Sequence, residues 1–404
     1  MKILDRFLNY VSIPTTSNSN SNTSPSTIEQ KVLANYLVKE LKELGINDII
    51  FDDNHCYVYA YIKGNDDCNS IGFVSHLDTS EDAKGNDIKP QIIKNYDGND
   101  IKLNNDKILS VKNNHDLKKH IGKTLITTDG TTLLGADDKA GIAEIVTMIE
   151  YIKKNNIDHG DIFICFTPDE EIGLGTKYID TDIFKPDFAY TIDGSDLGEI
   201  SYENFNAASI EINIKGVNVH AGLAKGIMVN SLLIANELNY WIPNTLPSNT
   251  EGYQGYYHLE KIEGNVSSTK MEYIIRDFSK DEFEKKKHLI EKIVSYLNKK
   301  YNNCIELKIT DTYYNMYNMI YDKRYIIDIA TKAMNNLNIK PLIIPTRGGT
   351  DGATLSYMGI PCPNIGAGGH NFHSIYEYVC LEDMINTSNL LTEIVKENNK
   401  VKRK

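Results

Sequence analysis

The run DIFICFTPDEEIG, Asp161 to Gly173, carries the first decision about the fold. Asp161–Phe166 is strand-length, rich in β-branched and aromatic residues, and stops at Pro168. Before it, Ile142, Ile145, Ile149 and Ile152 recur every three to four residues, as one face of a helix does. After it comes a second apolar segment, Phe188–Ile192. Apolar strands alternating with amphipathic helices indicate an α/β unit built on a mixed, largely parallel sheet flanked by helices.

Working outward, Ile49–Phe51, Tyr57–Ile62 and Ile71–Ser75 also read as strands. Met1 to Val11 has helical spacing. Thr16–Ser26 is a Ser/Asn-rich surface loop, and Ser26 with Glu29 predicts a capping box for a helix whose Leu33, Leu37, Leu41 and Leu44 face inward, ending at Gly45. Residues 81–120 are polar and predict an excursion of short hairpins. Near Phe205 the pattern changes. Strand-like 209–214, 255–262, 271–277 and 304–310 alternate with helices over 230–240 and from Ser279, whose Glu282 completes a second capping box. That β-α-β-β-α-β order predicts a ferredoxin-like domain over residues 207–312, inserted into a discontinuous α/β domain formed by 1–206 and 313–404. Helices at 326–337 and 381–396 and a strand at 342–344 complete the first domain.

The chain has 404 residues, 43 Lys+Arg, 55 Asp+Glu and a net charge of −12. An acidic balance, with no basic run longer than the final Lys-Arg-Lys, argues against nucleic acid. Apolar runs fall far short of the roughly 20 residues that cross a bilayer. Asp5 and Arg6 interrupt any secretory apolar core, and six scattered cysteines suit a reducing compartment. The expectation is a cytoplasmic protein without a membrane partner.

Each strand of the first domain ends in acid or imidazole. His76 and Asp78 follow Ile71–Val74, Glu170 and Glu171 follow Asp161–Phe166, and Asp193 follows Phe188–Ile192. Asp137-Asp138 opens a helix, and His373 comes from the last part of the chain. Any one of these alone reads as a solvated strand end or a helix N-terminus. Ends of parallel strands converge, however, and would gather about four carboxylates in one cleft. Like charges about 4 Å apart cost several kcal/mol even at an effective dielectric near 20. Two divalent cations per chain would neutralise them. Mixed imidazole and carboxylate ligands suit zinc, manganese or cobalt, with zinc the first expectation, and the lack of thiolates in the set fits a catalytic centre.

His76-x-Asp78, Gly-Ala-Asp137-Asp138-Lys139, Asp169-Glu170-Glu171-Ile-Gly173, Asp193-Gly194 and the late His373 stand in an order that resembles the dizinc exopeptidases and aminoacylases of one metallopeptidase superfamily. The longer runs 132–141, 224–230, 251–258, 271–277, 347–352 and 361–365 narrow the resemblance to its tripeptide aminopeptidases, over essentially the whole chain. One departure is Ala221, where the family pattern leads one to expect Pro. The resemblance implies that His76, Asp137 and Asp193 bind one metal and Asp137, Glu171 and His373 the other, with a cis peptide between Asp137 and Asp138. It implies Asp78 orienting His76, Glu170 as general base, and His220 reaching an active site across a homodimer formed by the inserted lid domain. Arg347 and Arg276 are candidates for gripping a peptide's C-terminal carboxylate, which would fix the length of substrate at three residues. For Arg276 a surface ion pair with Asp277 or a neighbour is an equal reading, and for His220 an ordinary loop histidine is. A related amidohydrolase acting on dipeptides or N-acyl amino acids, and a non-catalytic peptide-binding protein, are the alternatives.

Overall fold

The computed structural model describes residues 1–403 apart from Asp66 and Asn105. It divides into two compact units, one formed by Met1–Tyr202, Asn318–Ile344 and Thr350–Lys404, the other by Glu203–Tyr317 and Pro345–Gly349.

The first unit is built on an eight-stranded sheet. Its order is Asp48–Asp52, Tyr57–Ile62, Ile162–Thr167, Ile71–His76, Phe188–Gly194, Asn364–Gly366, Glu199–Ser201, Leu342–Ile343. The four strands from Ile162–Thr167 to Asn364–Gly366 are mutually parallel, and antiparallel pairs lie on either side of them. Ile71–His76 is buried at every residue, as expected where both faces of a parallel sheet are covered. The Ala136–Asn155 helix packs closely on this sheet. A Cβ on Gly141 would lie 2.2 Å from the carbonyl oxygen of Ile192, so only glycine permits that approach. A smaller antiparallel sheet joins Gln91–Ile93, Leu125–Thr127, Tyr378–Cys380 and Gly369–His370. The excursion does carry a short hairpin, Ile101–Lys102 with Ile108–Leu109.

Ser26 does not cap the second helix, contrary to the capping-box expectation. The helix runs Gln30–Glu43 with Glu29 at its N-cap. The Ser26 hydroxyl instead donates to the buried carboxylate of Asp169 at 2.6 Å. A buried carboxylate demands donors more strongly than an exposed helix end does.

The second unit holds a four-stranded antiparallel sheet in the order Tyr256–Asn265, Ser268–Asp277, Asn206–Lys215, Ile305–Tyr313. With helices Ser231–Trp241 and Lys280–Lys300 this is the ferredoxin-like order and direction of strands. Ile210, Ile212 and Ile214 alternate inward and meet Leu238 and Phe283 in one core. Ser279 accepts a bond from Glu282 N at 3.3 Å and caps the longer helix. Pro345–Gly349 clusters with this unit because Thr346 N donates to Glu203 O and the Arg347 side chain is anchored there, as described below.

Among the described residues, no helix is long and apolar enough to cross a membrane. All six cysteines are free.

Candidate active site

Three parallel strand ends and two loops supply the acids and imidazoles of the first unit. His76 is the last residue of its strand, Asp193 lies at the end of the next, and Glu170 and Glu171 form a single 3₁₀ turn after Thr167. Asp137 stands at the head of the long helix, and its bond to Asp138 is cis. His373 lies between the two short strands Gly369–His370 and Tyr378–Cys380, with φ +60°.

These residues meet. His76 Nε2 is 2.8 Å from Asp137 Oδ1 and 3.6 Å from Asp193 Oδ1. His373 Nε2 is 3.2 Å from Asp137 Oδ2 and 2.8 Å from Glu171 Oε2. The two oxygens of Asp137 therefore face two different imidazoles. Donor atoms of His76, Asp137 and Glu171 lie within 4.8 Å of one another, and so do those of His76, Glu170 and Asp193.

The electrostatics of the cluster favour bound cations. Burial, then the charge of Asp137, pushes Glu171 up to about 8. Burial, opposed by the bond to His76, leaves Asp193 raised to about 6. Glu170 is raised well above the usual carboxylate range by burial and by Asp193. His373 is driven up to about 11 by its bonds to Asp137 and Glu171. Burial would lower His76, but bonds to Asp137, Asp193 and Asp78 carry it well above its ordinary value. Glu171 Oε1 is buried without a hydrogen-bond partner. Carboxylates so placed require positive charge. A pair of divalent cations would supply it, and the oxygen and imidazole donors fit zinc-type ions.

Several residues that sequence reasoning missed hold this geometry. Glu377 is buried, and its carboxylate accepts from Leu134 N at 2.7 Å, Gly135 N at 2.9 Å and Asp137 N at 3.1 Å. Asp169, at φ +55°, accepts from Ser26 N, Ser26 Oγ and Gln30 Nε2, which fixes the turn carrying Glu170 and Glu171. Asp138 turns away from Asp137 and accepts from Ser75 Oγ and His76 N. Asp351 accepts from Thr167 Oγ1 at 2.7 Å and adds to the negative field at Glu170. Lys139, fully buried, donates to Ile13 O at 2.7 Å. Glu377 has no spacing signal beyond its own residue type; Asp138, Lys139, Asp169 and Asp351 stand in runs quoted above, which show their presence but not these partners.

Asp78 does more than expected. It lies 3.4 Å from His76 Nδ1, which also approaches the Asp78 backbone oxygen at 3.0 Å. Its carboxylate also accepts from Glu170 N and Glu171 N, tying the imidazole and the glutamate turn to one anchor.

The remaining candidates lie in the second unit. His220 is exposed, and its Nδ1 accepts from Gly222 N at 3.2 Å. Arg347 donates from Nη1 to Gly252 O and Gln254 O and from Nη2 to Thr250 O and Oγ1, while its guanidinium stacks 5.0 Å from the Phe205 ring centre. Arg276 donates from Nη1 to Arg347 O, and its Nε is buried without a hydrogen-bond partner. It does not take Asp277, which pairs with Lys286 at 2.8 Å.

A mixed sheet whose parallel strands end in a shared acid–imidazole cluster is the framework of a metal-dependent hydrolase. The model of Peptidase family M20/M25/M40 matches residues 128–397; the chain belongs to that family and is a peptide hydrolase. A Peptidase T from Caldanaerobacter subterraneus subsp. tengcongensis is 54% identical over 401 residues, 98% of each chain. One from Clostridium acetobutylicum is 51% identical over the same length and shares. Among solved structures, a tripeptidase from Staphylococcus aureus superposes with a TM-score of 0.81 at 23% identity, covering 99% of this chain and 98% of its own, which shows the same fold.

Proposed function

We propose that the protein is a cytoplasmic aminopeptidase that releases the N-terminal residue of tripeptides with two divalent cations, zinc being the best fit. His76, Asp137 and Asp193 would hold one ion, and Asp137, Glu171 and His373 the other. The observation that carries this reading is Asp137 set between two imidazoles, one at each carboxylate oxygen. Bound there, the ions would supply Lewis acidity, polarising the scissile carbonyl and acidifying the attacking water.

Glu170 takes the proton of that water and returns it to the leaving amine. Its carboxylate lies in the His76–Asp193 group, and a raised proton affinity suits a base that must hold a proton between two steps. Asp78 orients the His76 ring and, through Glu170 N and Glu171 N, separates the roles of the two glutamates. Asp169, clamped by Ser26 and Gln30, keeps the same turn from shifting.

For the peptide carboxylate we assign the grip to Arg276 with Arg347. Arg276 keeps a buried, unpartnered Nε, whereas the terminal donors of Arg347 shape the 250–254 loop. We further propose that the ferredoxin-like unit acts as lid and homodimer contact, bringing His220 to a partner's substrate. Support comes from the relatives called Peptidase T and from the tripeptidase that shares the fold.

The test is release of the N-terminal residue from free di-, tri- and tetrapeptides and from N-acetylated tripeptides, with and without chelator. Tripeptide turnover that vanishes with chelator and returns with zinc is expected. Preference for acetylated peptides would turn the reading toward an amidohydrolase.

A further inference from the structure

A second group of metal-type donors lies in the first unit, on residues the hydrolytic reading does not use. A ring nitrogen of His120, Cys380 Sγ and a carboxylate oxygen of Asp383 all fall within 4.8 Å of one another, and all three residues are buried. Cys380 stands at the N-cap of the Leu381–Asn399 helix and Asp383 is three residues on, so both face one side of its first turn. His120 ends a separate 3₁₀ segment, His115–His120.

The imidazole is the informative member. His120 is 2% exposed, yet neither ring nitrogen has a hydrogen-bond partner. Its Nδ1 faces Asp383 Oδ2 at 3.3 Å, an ion-pair distance, and Nε2 faces no partner. The rings of His370 and Tyr378 pack edge-on against it, 5.3 and 6.0 Å away. Burying a polar ring without a partner is costly, and natural proteins commonly satisfy such a ring with an ordered water or an ion.

The surrounding charges leave room for a cation. Lys123 Nζ takes Asp383 Oδ1 at 2.7 Å, which leaves Oδ2 on the His120 side. The Cys380 thiol points to Glu382 Oε2 at 3.5 Å, adding a further carboxylate to the neighbourhood. Tetrahedral zinc with one sulfur and nitrogen or oxygen ligands sets its donors about 3.3–3.8 Å apart, so a modest contraction closes the triad and solvent can supply a fourth ligand.

We propose that His120, Cys380 and Asp383 form a structural divalent-cation site, suited to zinc, that staples the His115–His120 segment to the head of the final helix. It is independent of the hydrolytic centre and differs from it in containing a thiolate. Uptake of the ion converts the thiol to thiolate and releases its proton to solvent.

Cobalt substitution of the full-length protein tests this, because only a thiolate ligand gives a near-ultraviolet sulfur-to-cobalt charge-transfer band. The expected result is that band in the wild type at saturating Co²⁺, its loss in Cys380→Ser, and a zinc content lower by about one ion per chain in Cys380→Ser and His120→Ala after exhaustive dialysis. The acidic centre cannot produce the band, so the result does not depend on its assignment. A folded wild type without the band overturns the proposal, as does a band that survives Cys380→Ser. Should both variants fail to fold, the wild-type spectrum and Asp383→Asn still decide it.

Discussion

Replacing Glu377 by Gln should loosen the metal centre without touching any atom proposed to ligate it. Leu134 N and Gly135 N share Oε2, while Asp137 N alone meets Oε1. A glutamine can offer its single oxygen to the first pair. It then turns an N–H toward the Asp137 N–H, so that bond is lost and the other two become neutral. A hydrogen bond to a charged group contributes roughly 1.5–3 kcal/mol and a neutral one about 0.5–1.5. The local cost is therefore roughly 4–5 kcal/mol, borne where the chain presents Asp137. If about half of it falls on holding that carboxylate between His76 and His373, affinity for the ions drops about 10–100-fold, as outer partners of metal ligands usually produce. Competition with a chromophoric chelator measures the affinity, and thermal melting with and without zinc measures the fold. Wild-type zinc affinity combined with a lowered melting temperature would refute the reasoning, because Glu377 would then support the fold and not the ligand.

Glu170→Gln should retain its metal and lose roughly 10²–10⁴-fold in kcat; loss of metal by elemental analysis would mean that Glu170 and Glu171 have exchanged roles. Asp169→Ala strands the Ser26 and Gln30 donors and should cost roughly 3 kcal/mol, read as a lower denaturant midpoint. Burial opposes ionisation of Glu150, but Lys154 and Arg6 outweigh it and hold the carboxyl at about 2. A folded-state value below the unfolded one adds stability that is present above about pH 4.5 and disappears as pH falls toward 2. Glu150→Gln should therefore melt lower than wild type at pH 7, with the gap closing across that window; a gap independent of pH would remove the ion-pair argument.

The difference between what could and could not be read from the sequence follows the range of the interactions. Strands such as Ile71–His76 declare themselves because a buried parallel strand needs an unbroken apolar run, and the polar residues that end it then converge by topology alone. The ferredoxin-like unit was legible for a similar reason, since Ile210, Ile212 and Ile214 carry the alternation that one buried face imposes. Ser26 marks where local rules fail. Its spacing to Glu29 fits a capping box, but Asp169, far along the chain, binds it more strongly than a solvated helix end can. Glu377 has no local signal, being a single acid in a loop whose partners are backbone N–H groups elsewhere in the fold, and Asp351, at the head of the short helix Asp351–Tyr357, shows nothing along the chain of its bond to the Thr167 hydroxyl. Arg347 was visible as a ligand-binding candidate in the run Arg347–Gly352, but the loop that its terminal donors fasten, almost a hundred residues away, was not. Chemistry was thus visible wherever an acid or imidazole ended a regular element. The residues that aim that chemistry were hidden, because their work is to connect elements, and a connection leaves its pattern in three dimensions and not along the chain.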